Sequence, residues 1–241
     1  MRNNTLSFHI AREHGFEFVF SSGHALRYPM HTHVSTYTVT LVRKGVVRLA
    51  GTADAATLLP GSVYVVAPHE PHSPAYSDDF DIVSLCIDKG RVASTPFGDL
   101  LALLLPHARA FTDAARVAGA ARLEHEHLCR LIAGVERIYA RAPRAPYPDA
   151  PALLRTGPHD TESPFQRIRR FKKSAGLTPH QYAVQDRIRT AKRLLADATP
   201  IAEAAAEAGF CDQSHLNRWF QKALGMTPRA YKNACRFLDE R

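Results

Sequence analysis

The last third of the chain contains one helical pattern twice, and this repeat restricts the fold more than any other feature of the sequence. The first copy begins at Ser163, ends at Gly176 and is followed by Leu-Thr-Pro. The second copy begins at Asp212, ends at Gly225 and is followed by Met-Thr-Pro, with each position 49 residues further on. Serine and aspartate are favoured at helix N-caps, and glycine is favoured at helix ends. The repeat therefore predicts an all-helical C-terminal domain built from two related units.

The second copy has a partner helix directly before it. The alanine-rich segment 200–208 ends at Gly209, and the capped segment 212–222 follows. A helix, a glycine-containing turn and a polar helix form a helix-turn-helix, whose second helix enters the major groove of DNA. Leu216 and Phe220 are four residues apart, so we expect both to face the core. The Gln, Asn and Arg side chains of this helix fall on other faces, where they can pair with base edges.

The excess of positive charge lies in the same third of the chain. Residues 156–241 carry 15 Lys and Arg against 9 Asp and Glu, whereas residues 1–105 carry 8 against 9. A clustered basic surface is the electrostatic footprint of a nucleic-acid-binding domain. A solvated surface without a partner would give the same count, so charge alone does not separate the two interpretations.

The sequence disfavours several other classes of protein. The longest apolar run, 100–105, has six residues, whereas a membrane span needs about 20. Arg2, His9 and Arg12 interrupt the N-terminal stretch, so we expect no signal peptide. The four cysteines are scattered without a Cys-x-x-Cys pair, which argues against a zinc finger and a disulfide scaffold. We therefore expect a cytoplasmic protein that does not bind a membrane.

Residues 163–234 resemble the DNA-binding domain of the AraC/XylS family of transcription regulators. The resemblance is carried by LTPHQY at 177–182, RIRTAKRLL at 187–195 and PIAEAAAEAGFCDQSHLNRWFQKALGMTPRAY at 200–231. It implies two helix-turn-helix units joined by a long helix at about 179–197. The two recognition helices would then meet major-groove segments about 34 Å apart, which is roughly one turn of DNA.

The resemblance implies DNA contacts on both recognition helices. Base contacts are implied for Gln213, Ser214, Asn217 and Arg218 in the second unit, and for Phe165, Gln166 and Arg169 in the first. Phosphate contacts position a protein on DNA without reading its sequence. They are implied for Arg170, Lys172, Lys173, His215 and Lys222.

The first unit departs from the family pattern. Gly157 and Pro158 lie where a helix before Ser163 is expected, and proline inside a helix costs about 3 kcal/mol. Arg167 occupies a position that is usually apolar in the family, although a side chain with only its stem buried would also fit there. These departures predict a shortened or poorly packed first unit, so that specific reading of DNA rests mainly on the second.

The N-terminal half has a different pattern, with short runs rich in Val, Phe, Tyr and Thr separated by Gly, Pro and Asp. The predicted strands are 16–20, 36–42, 46–50, 62–67 and 80–87. Their spacing predicts an antiparallel barrel or sandwich. Beyond residue 96 the apolar residues recur at helical spacing, and one stripe consists of Leu128, Ile132, Val135 and Tyr139. The predicted fold class is α+β in two domains, with a jelly-roll β-barrel, a helical connector and an all-α domain.

Histidines are concentrated in this half, with seven of thirteen between His9 and His72. His31 and His33 are two apart on a predicted strand, so their rings are expected on the same side. His72, on a later strand, would complete a set of three nitrogen ligands. Neutral imidazoles of this kind suit zinc, iron or nickel.

The motifs around these histidines resemble a cupin barrel. They are the His-x-His at 31–33, the Pro-Gly turn at 60–61 and the Pro-x-x-Pro-His at 68–72. Over about residues 16–90 the chain is similar to the ligand-sensing domain fused to many AraC/XylS regulators. A metal-binding cupin usually adds a glutamate shortly after the second histidine, but residues 35–38 contain none. This departure disfavours a catalytic metal centre.

Three interpretations of the histidines stay open. They support a metal in the pocket, they donate hydrogen bonds to an organic ligand, or they make structural hydrogen bonds only. The residues assigned to the effector pocket are His31, His33, His72, Arg27, Tyr37 and Tyr64.

These observations divide the chain into an effector-sensing domain (1–105), a helical connector that could dimerise (106–142), a proline-rich linker (143–162) and a DNA-binding domain (163–241). The resulting interpretation is a bacterial transcription regulator, not an enzyme, which binds promoter DNA and a small effector. The resemblance implies that the protein activates transcription and contacts RNA polymerase, and that it could pair with a second copy of the chain. The alternatives are a cupin metalloenzyme with an appended DNA-binding domain, and a DNA-binding protein whose degraded first unit recognises no defined site.

Overall fold

A computed structural model describes residues 4–11, 14–51, 54–112, 123–141 and 162–237. The strands in the first part of the chain are β1 (Thr5–Ala11), β2 (Phe16–Gly23), β3 (Thr36–Lys44), β4 (Val47–Ala50), β5 (Ala55–Leu58), β6 (Val63–Val66), β7 (Ser73–Tyr76) and β8 (Phe80–Asp88). The helices that follow are α1 (Lys89–Ser94), α2 (Phe97–Arg109) and α3 (His125–Arg141). The last part contains α4 (Pro164–Ala175), α5 (Pro179–Ala196), α6 (Ile201–Glu207), α7 (Gln213–Leu224), α8 (Pro228–Ala234) and a short strand, β9 (Cys235–Phe237).

The strands form two sheets, with the orders β6-β3-β8-β2-β1-β9 and β5-β4-β7. Neighbouring strands are antiparallel, except that β9 is parallel to β1. The sheets pack on each other through Val42, Val47, Tyr76, Phe80 and Ile82. The predicted antiparallel β domain is confirmed, as a sandwich of two sheets rather than a closed barrel.

The side chains of β3 alternate between two environments, because successive residues of a strand point to opposite faces of the sheet. Tyr37, Val39 and Leu41 belong to the apolar cluster that also contains residues of α2 and α3. Val42 belongs to the cluster between the two sheets. The helices therefore cover one face of the larger sheet, and the smaller sheet covers the other.

Helix α3 covers the larger sheet with the apolar stripe that the sequence predicts. Leu128 and Val135 are buried in the same cluster as residues of β2, β3 and β8, and Ile132 and Tyr139 pack against it. The residues predicted as a separate connector thus pack as a part of the β domain. The stripe thus packs within the chain, and dimerisation through this segment stays a prediction.

Gly134 lets α3 lie close against β3. A Cβ atom at this position would overlap Cγ1 of Val39 and lie 3.1 Å from Cγ1 of Val63. We expect Gly134→Ala to lower the free energy of unfolding by about 1–3 kcal/mol, because overpacking outweighs the roughly 1 kcal/mol that alanine gains in helix propensity. Urea unfolding followed by circular dichroism measures the change. Gly98→Ala in α2 is the matched control, since nothing lies within 4 Å of its added Cβ, and equal losses at both sites would contradict the argument.

The C-terminal helices begin and end where the repeat predicts. The side chains of four N-cap residues accept a backbone hydrogen bond from the first turn of α4, α5, α7 and α8, and these residues are Ser163, Thr178, Asp212 and Thr227. Gly176 and Gly225 end α4 and α7 in the left-handed conformation, with φ of 69° and 70°. Since glycine adopts this conformation without a steric penalty, both helix ends follow from the sequence. The predicted helical domain is confirmed.

The C-terminal domain packs directly on the β domain. Strand β9 extends the larger sheet by pairing with β1, and Cys235 lies opposite Phe8. Phe8 is buried in a cluster with residues of α5–α8, and its ring centroid lies 4.7 Å from that of Tyr231. Nearby, Lys192 Nζ of α5 lies 3.6 Å from Glu17 Oε2 of β2. The two domains therefore share one sheet and one apolar cluster.

Some predicted elements differ from those observed. Strands β1, β5, β7 and β9 were not predicted, and the β6 segment is shorter than predicted. His31 and His33 do not lie on a regular strand, because His31 forms only an isolated bridge to His72. Gly157 and Pro158 fall outside the described residues, so the predicted defect in the first helix-turn-helix unit stays a prediction.

Candidate DNA-binding surface and three-histidine site

Helix α7 separates a buried face from an exposed one. Its N-cap, Asp212, accepts a hydrogen bond of 2.6 Å from the backbone N–H of His215. Leu216 and Phe220 are fully buried, as the spacing predicts. The proposed base-contacting side chains lie on the other faces, with Gln213, Ser214 and Arg218 exposed and Asn217 half-buried. The helix therefore presents long polar side chains at its N-terminal end, which is the end that reads bases in this motif.

His215 stabilises α7 from within. Its Nε2 accepts a hydrogen bond of 2.9 Å from the indole N–H of Trp219. Its Nδ1 lies 3.4 Å from the backbone N of Cys211, so both ring nitrogens face a donor group of the protein. The ring is half-buried and packs edge-on to Phe210, at a centroid distance of 5.4 Å. This geometry favours a structural role, and the phosphate contact of His215 stays a prediction.

Helix α4 of the first unit is less buried than α7 among the residues that the structure describes. Phe165 is 79% exposed and Ile168 is 43% exposed, whereas Phe171 and Ala175 are buried. Gln166 closes a capping box, since its side-chain oxygen accepts a hydrogen bond of 2.7 Å from Ser163 N–H. Phe165, Gln166 and Arg169 are exposed, but the carbonyl of Gln166 is already used.

The proposed phosphate contacts form an exposed basic set. Lys172 and Lys173 lie in the last turn of α4 and are exposed, as is Lys222 in α7. Arg170 forms an ion pair of 3.1 Å with Glu162. The Nζ of Lys222 lies 4.9 Å from the ring centroid of Trp219, which gives the cation a fixed position on the helix.

The N-terminal end of α7, where Gln213, Ser214 and Arg218 are exposed, lies apart from the contacts described next. The contacts of α7 with the β domain are at its C-terminal end, where the hydroxyl of Tyr28 donates to the carbonyl of Leu224 at 3.4 Å. Leu26 packs beside Gly225 at the same end. These contacts with the β domain therefore lie at the opposite end of α7 from the proposed base contacts.

His31, His33 and His72 come together, as the sequence predicts. Their candidate ligand atoms all lie within 4.8 Å of one another. Two backbone hydrogen bonds of 2.9 Å join His31 to His72, and the centroids of these two rings are 4.2 Å apart. The ring of His33 lies 4.9 Å from that of His72. A backbone bridge, rather than a shared strand, thus assembles the cluster.

Hydrogen bonds and burial prepare these rings to act as ligands. Nδ1 of His31 lies 2.9 Å from the carbonyl oxygen of Pro29, and Nδ1 of His72 lies 3.0 Å from that of Glu70. A carbonyl oxygen can only accept, so each Nδ1 carries the hydrogen and each Nε2 keeps its lone pair. Burial lowers the pKa of His31 to about 4, with a further lowering by the neighbouring His72.

The other two rings are also held neutral. Burial lowers the pKa of His33 well below its usual value, and His31, His72 and Lys192 add to this effect. Burial also lowers the pKa of His72. Three neutral nitrogen donors fit zinc, iron or nickel. No carboxylate belongs to the set within the part of the chain that the structure describes.

A polar wall lies on the inner face of the larger sheet, and the sequence analysis missed most of it. Thr40 Oγ1 and Ser84 Oγ are 2.8 Å apart, and Thr38 Oγ1 lies 3.7 Å from Cys86 Sγ. Burial raises the pKa of the Cys86 thiol to about 12, so the thiol is protonated. The alternation of threonine with apolar residues in β3 was the signal for this wall, because a polar set on one face of a buried strand needs partners.

Tyrosines connect this wall with the histidines. The Tyr28 ring lies 6.0 Å from the His31 ring and 6.1 Å from the Tyr76 ring, measured between centroids. Tyr64 packs against the cluster between the two sheets, and burial raises its pKa. Tyr64 is therefore on the inner side, where the sequence analysis assigned it.

Two other residues assigned to the effector pocket lie elsewhere. Tyr37 packs on the opposite face of β3, in the cluster with α2 and α3. Arg27 is exposed and forms a backbone bridge to Ala75. Strand alternation excludes Tyr37 from the inner face, and exposure removes Arg27 from the buried cluster, so we leave both out of the pocket.

Comparison with known proteins identifies the family. A model of the AraC-like ligand-binding domain matches residues 13–145, which is more than half of the chain. The chain belongs to the AraC family. A helix-turn-helix domain model also matches this AraC-type chain, over residues 163–234. Among the described residues, no helix is long and apolar enough to cross a membrane.

Curated relatives match a segment of this AraC-type chain. The probable transcriptional regulator LumQ of Photobacterium leiognathi is 38% identical over 63 residues, covering 26% of this chain and 25% of LumQ. The uncharacterized HTH-type transcriptional regulator YobQ of Bacillus subtilis is 41% identical over 64 residues, covering 26% of this chain and 27% of YobQ. The matches thus span about a quarter of these relatives.

A solved structure matches nearly the whole AraC-type chain in fold. ToxT from Vibrio cholerae superposes with a TM-score of 0.55 at 12% identity, covering 91% of this chain and 98% of ToxT. This likeness shows that the order of a β domain followed by a helix-turn-helix domain is a shared fold.

Proposed function

We propose that this chain is a sequence-specific DNA-binding transcription regulator whose β domain binds a small effector. The observation that carries the proposal is the surface of α7. Gln213, Ser214 and Arg218 are exposed and Asn217 is half-buried. The opposite face of the helix is closed by Leu216 and Phe220. The net positive charge of residues 156–241 supports the same conclusion, since phosphate attraction supplies most of the affinity for DNA.

The two recognition helices would contribute unequally. Both helices are capped at both ends, but α7 also packs Leu216 and Phe220 into the large cluster of α5–α8, which supports its polar side chains. In α4 the carbonyl of Gln166 is used by the cap, and Phe165 projects into solvent. We therefore assign most of the base reading to Gln213, Ser214, Asn217 and Arg218. Helix α4 would mainly supply phosphate contacts through Lys172 and Lys173.

The effector site would lie at the three histidines and the polar wall beside them. The rings of His31, His33 and His72 would hold a zinc, iron or nickel ion. Such an ion supplies a fixed positive charge and open coordination positions for a ligand. The protein's own contribution is to keep the three rings neutral through burial, and to orient His31 and His72 through the carbonyls of Pro29 and Glu70.

The same wall would suit a small organic effector. One ToxT structure contains an aryl-substituted butenoic acid, which is a statement about that protein. The hydroxyls of Thr40, Ser84 and Tyr64 would offer hydrogen bonds to such a molecule beside or instead of an ion. We propose binding rather than catalysis, because the matched family models and curated relatives are those of regulators.

The cellular location and the protein partners are also part of the proposal. A promoter-binding protein of bacterial type would act in the cytoplasm, where it would meet RNA polymerase. The AraC-type relatives support a regulator, and activation follows from the resemblance of the DNA-binding domain. A dimer is also part of this proposal, although α3 already packs much of its apolar stripe on β3 and β6.

Selection from a random pool of duplex DNA, followed by footprinting, tests the function. We expect the full chain to enrich one consensus and to protect a bounded region with two major-groove segments about 34 Å apart. The segment read by α7 should carry the stronger base preference. Enrichment of no consensus, with binding only at a Kd of about 10⁻⁴–10⁻⁶ M at physiological salt, would identify non-specific binding instead.

A further inference from the structure

The backbone between two of the histidines is bonded to the DNA-binding domain. Thr32 lies between His31 and His33, and its backbone N–H donates a hydrogen bond of 3.1 Å to the side-chain oxygen of Gln185 on α5. On the other side, His31 exchanges two backbone hydrogen bonds with His72. The segment 31–33 is thus held between the β domain and the helix that joins the two helix-turn-helix units.

Further contacts close the same side of the site. Val34 packs against the buried pair Phe171 and Tyr182, which belong to α4 and α5. The ring of His69 stacks on Tyr182 at a centroid distance of 6.5 Å. The C-terminal domain therefore covers the segment that carries two of the three candidate ligands.

We propose that Gln185 is a positioning residue for the three-histidine site, so that ion binding there and docking of the DNA-binding domain stabilise each other. This inference rests on the proposed effector site. It assigns to Gln185 the role of holding the backbone on which His31 and His33 are carried.

The geometry explains the direction of the effect. Ligand nitrogens about 2.1 Å from one ion lie about 3.4 Å apart in a tetrahedral site, whereas the three nitrogens here lie within 4.8 Å of one another. The rings therefore have to close by at most about 1.4 Å to reach that geometry. A hydrogen bond at Thr32 restricts the segment to conformations in which both rings already converge, so less ordering is left for the ion to impose.

Linkage makes the effect reciprocal. If docking raises the affinity for the ion, the ion must strengthen docking by the same factor. The positive charge of Lys192 near His33 opposes a bound cation, but Glu17 lies 3.6 Å from Lys192 Nζ and offsets it. The hydrogen bond at Thr32 is therefore the contact through which we expect the two events to be linked.

Two substitutions at one position isolate this hydrogen bond. Methionine is similar to glutamine in length but offers no comparable acceptor, whereas glutamate keeps an acceptor oxygen. We expect Gln185→Met to weaken Zn²⁺ binding by the tag-free full chain about 5–10-fold, the effect of one hydrogen bond. Gln185→Glu should bind Zn²⁺ at least as tightly as the wild type. Competition with a fluorescent zinc chelator measures these affinities.

Two control variants show what no loss and a complete loss of Zn²⁺ affinity look like. Gln221→Met changes the same residue type at an exposed position of α7, so its affinity for Zn²⁺ should be that of the wild type. His72→Ala removes one ligand and should abolish stoichiometric binding.

Hydrogen exchange provides a second readout, at the domain interface rather than at the ion. Peptides that cover β1 and α5 should exchange more slowly when Zn²⁺ is added to the wild type or to Gln185→Glu. The same peptides should show a clearly smaller response in Gln185→Met at saturating Zn²⁺. A loss of fold would instead speed exchange throughout the chain, with or without the ion.

The outcomes distinguish this inference from the proposed function. Gln185→Met that binds Zn²⁺ as tightly as the wild type, beside His72→Ala that does not bind, would overturn the link and leave the ion site intact. A wild-type chain that binds no Zn²⁺ would overturn both the link and the ion site. The footprinting result on DNA depends on neither outcome.

Discussion

Phe8→Ala is expected to lower the free energy of unfolding by about 3–5 kcal/mol, the usual range for truncating a buried phenylalanine. Phe8 is 3% exposed, although it lies on β1 near the start of the chain. Its ring fills a space among α5–α8 and touches Tyr231, so alanine would leave a cavity within the domain interface. The loss should therefore appear in the stability of the C-terminal domain.

Trp219 allows the unfolding of the C-terminal domain to be followed directly. It is the single tryptophan of the chain and lies in α7, so its fluorescence reports the helix-turn-helix unit. Urea unfolding followed by this signal gives the expected loss. Phe165→Ala is the matched control, since a side chain that is 79% exposed should change stability by less than about 0.5 kcal/mol. If the two variants were equally stable, the interface described above would be absent in solution.

Arg218→Ala is expected to weaken specific DNA binding by about 1–3 kcal/mol, or roughly 5–150-fold in Kd. An exposed arginine at this position of a recognition helix can donate two hydrogen bonds to guanine. Its loss should relax the preference at one base position and leave the others intact. Binding to a set of single-base variants of the selected site measures this pattern. A uniform loss over all variants would show that Arg218 contacts phosphate only.

Lys222→Ala provides the contrasting result on the same helix. Lys222 is exposed near the C-terminal end of α7, where it stacks on Trp219. Its removal should weaken binding to all sequences alike and reduce the slope of log K against log salt by about one. A loss confined to one base position would contradict the role of a phosphate contact. Together the two variants separate reading of sequence from attraction to the backbone.

Much of the DNA-binding domain could be predicted, because local sequence signals mark where its helices begin and end. The caps at Ser163 and Asp212 bond to residues three positions further on, and Gly176 and Gly225 end their helices within one turn. Each signal involves neighbours along the chain, so it can be read without the fold. The exposed and buried faces of α7 follow from the same helical period.

The histidine site was predicted in part. The pattern indicated that His31, His33 and His72 would meet, and they do. It was wrong about a regular strand, because a bridge of two backbone hydrogen bonds joins His31 to His72 instead. Tyr37 shows a second limit, since a shift of one residue in a strand moves every side chain to the other face. The face to which a polar residue such as Ser84 points is set by the same register, so the inner polar wall could not be assigned from the sequence.

The sequence by itself determined the capped helix α4, the helix-turn-helix of α6 and α7, the exposed polar face of α7 and the histidines available for a site. Only the tertiary structure decided that Phe8 is buried among α5–α8, that β9 extends the sheet beside β1, and that Thr32 bonds to Gln185. The reason is the distance along the chain. Caps and turns depend on residues a few positions apart, whereas Thr32 and Gln185 are separated by 153 positions and Tyr28 and Leu224 by 196. No periodic pattern marks such pairs, so packing of the whole domain selects them.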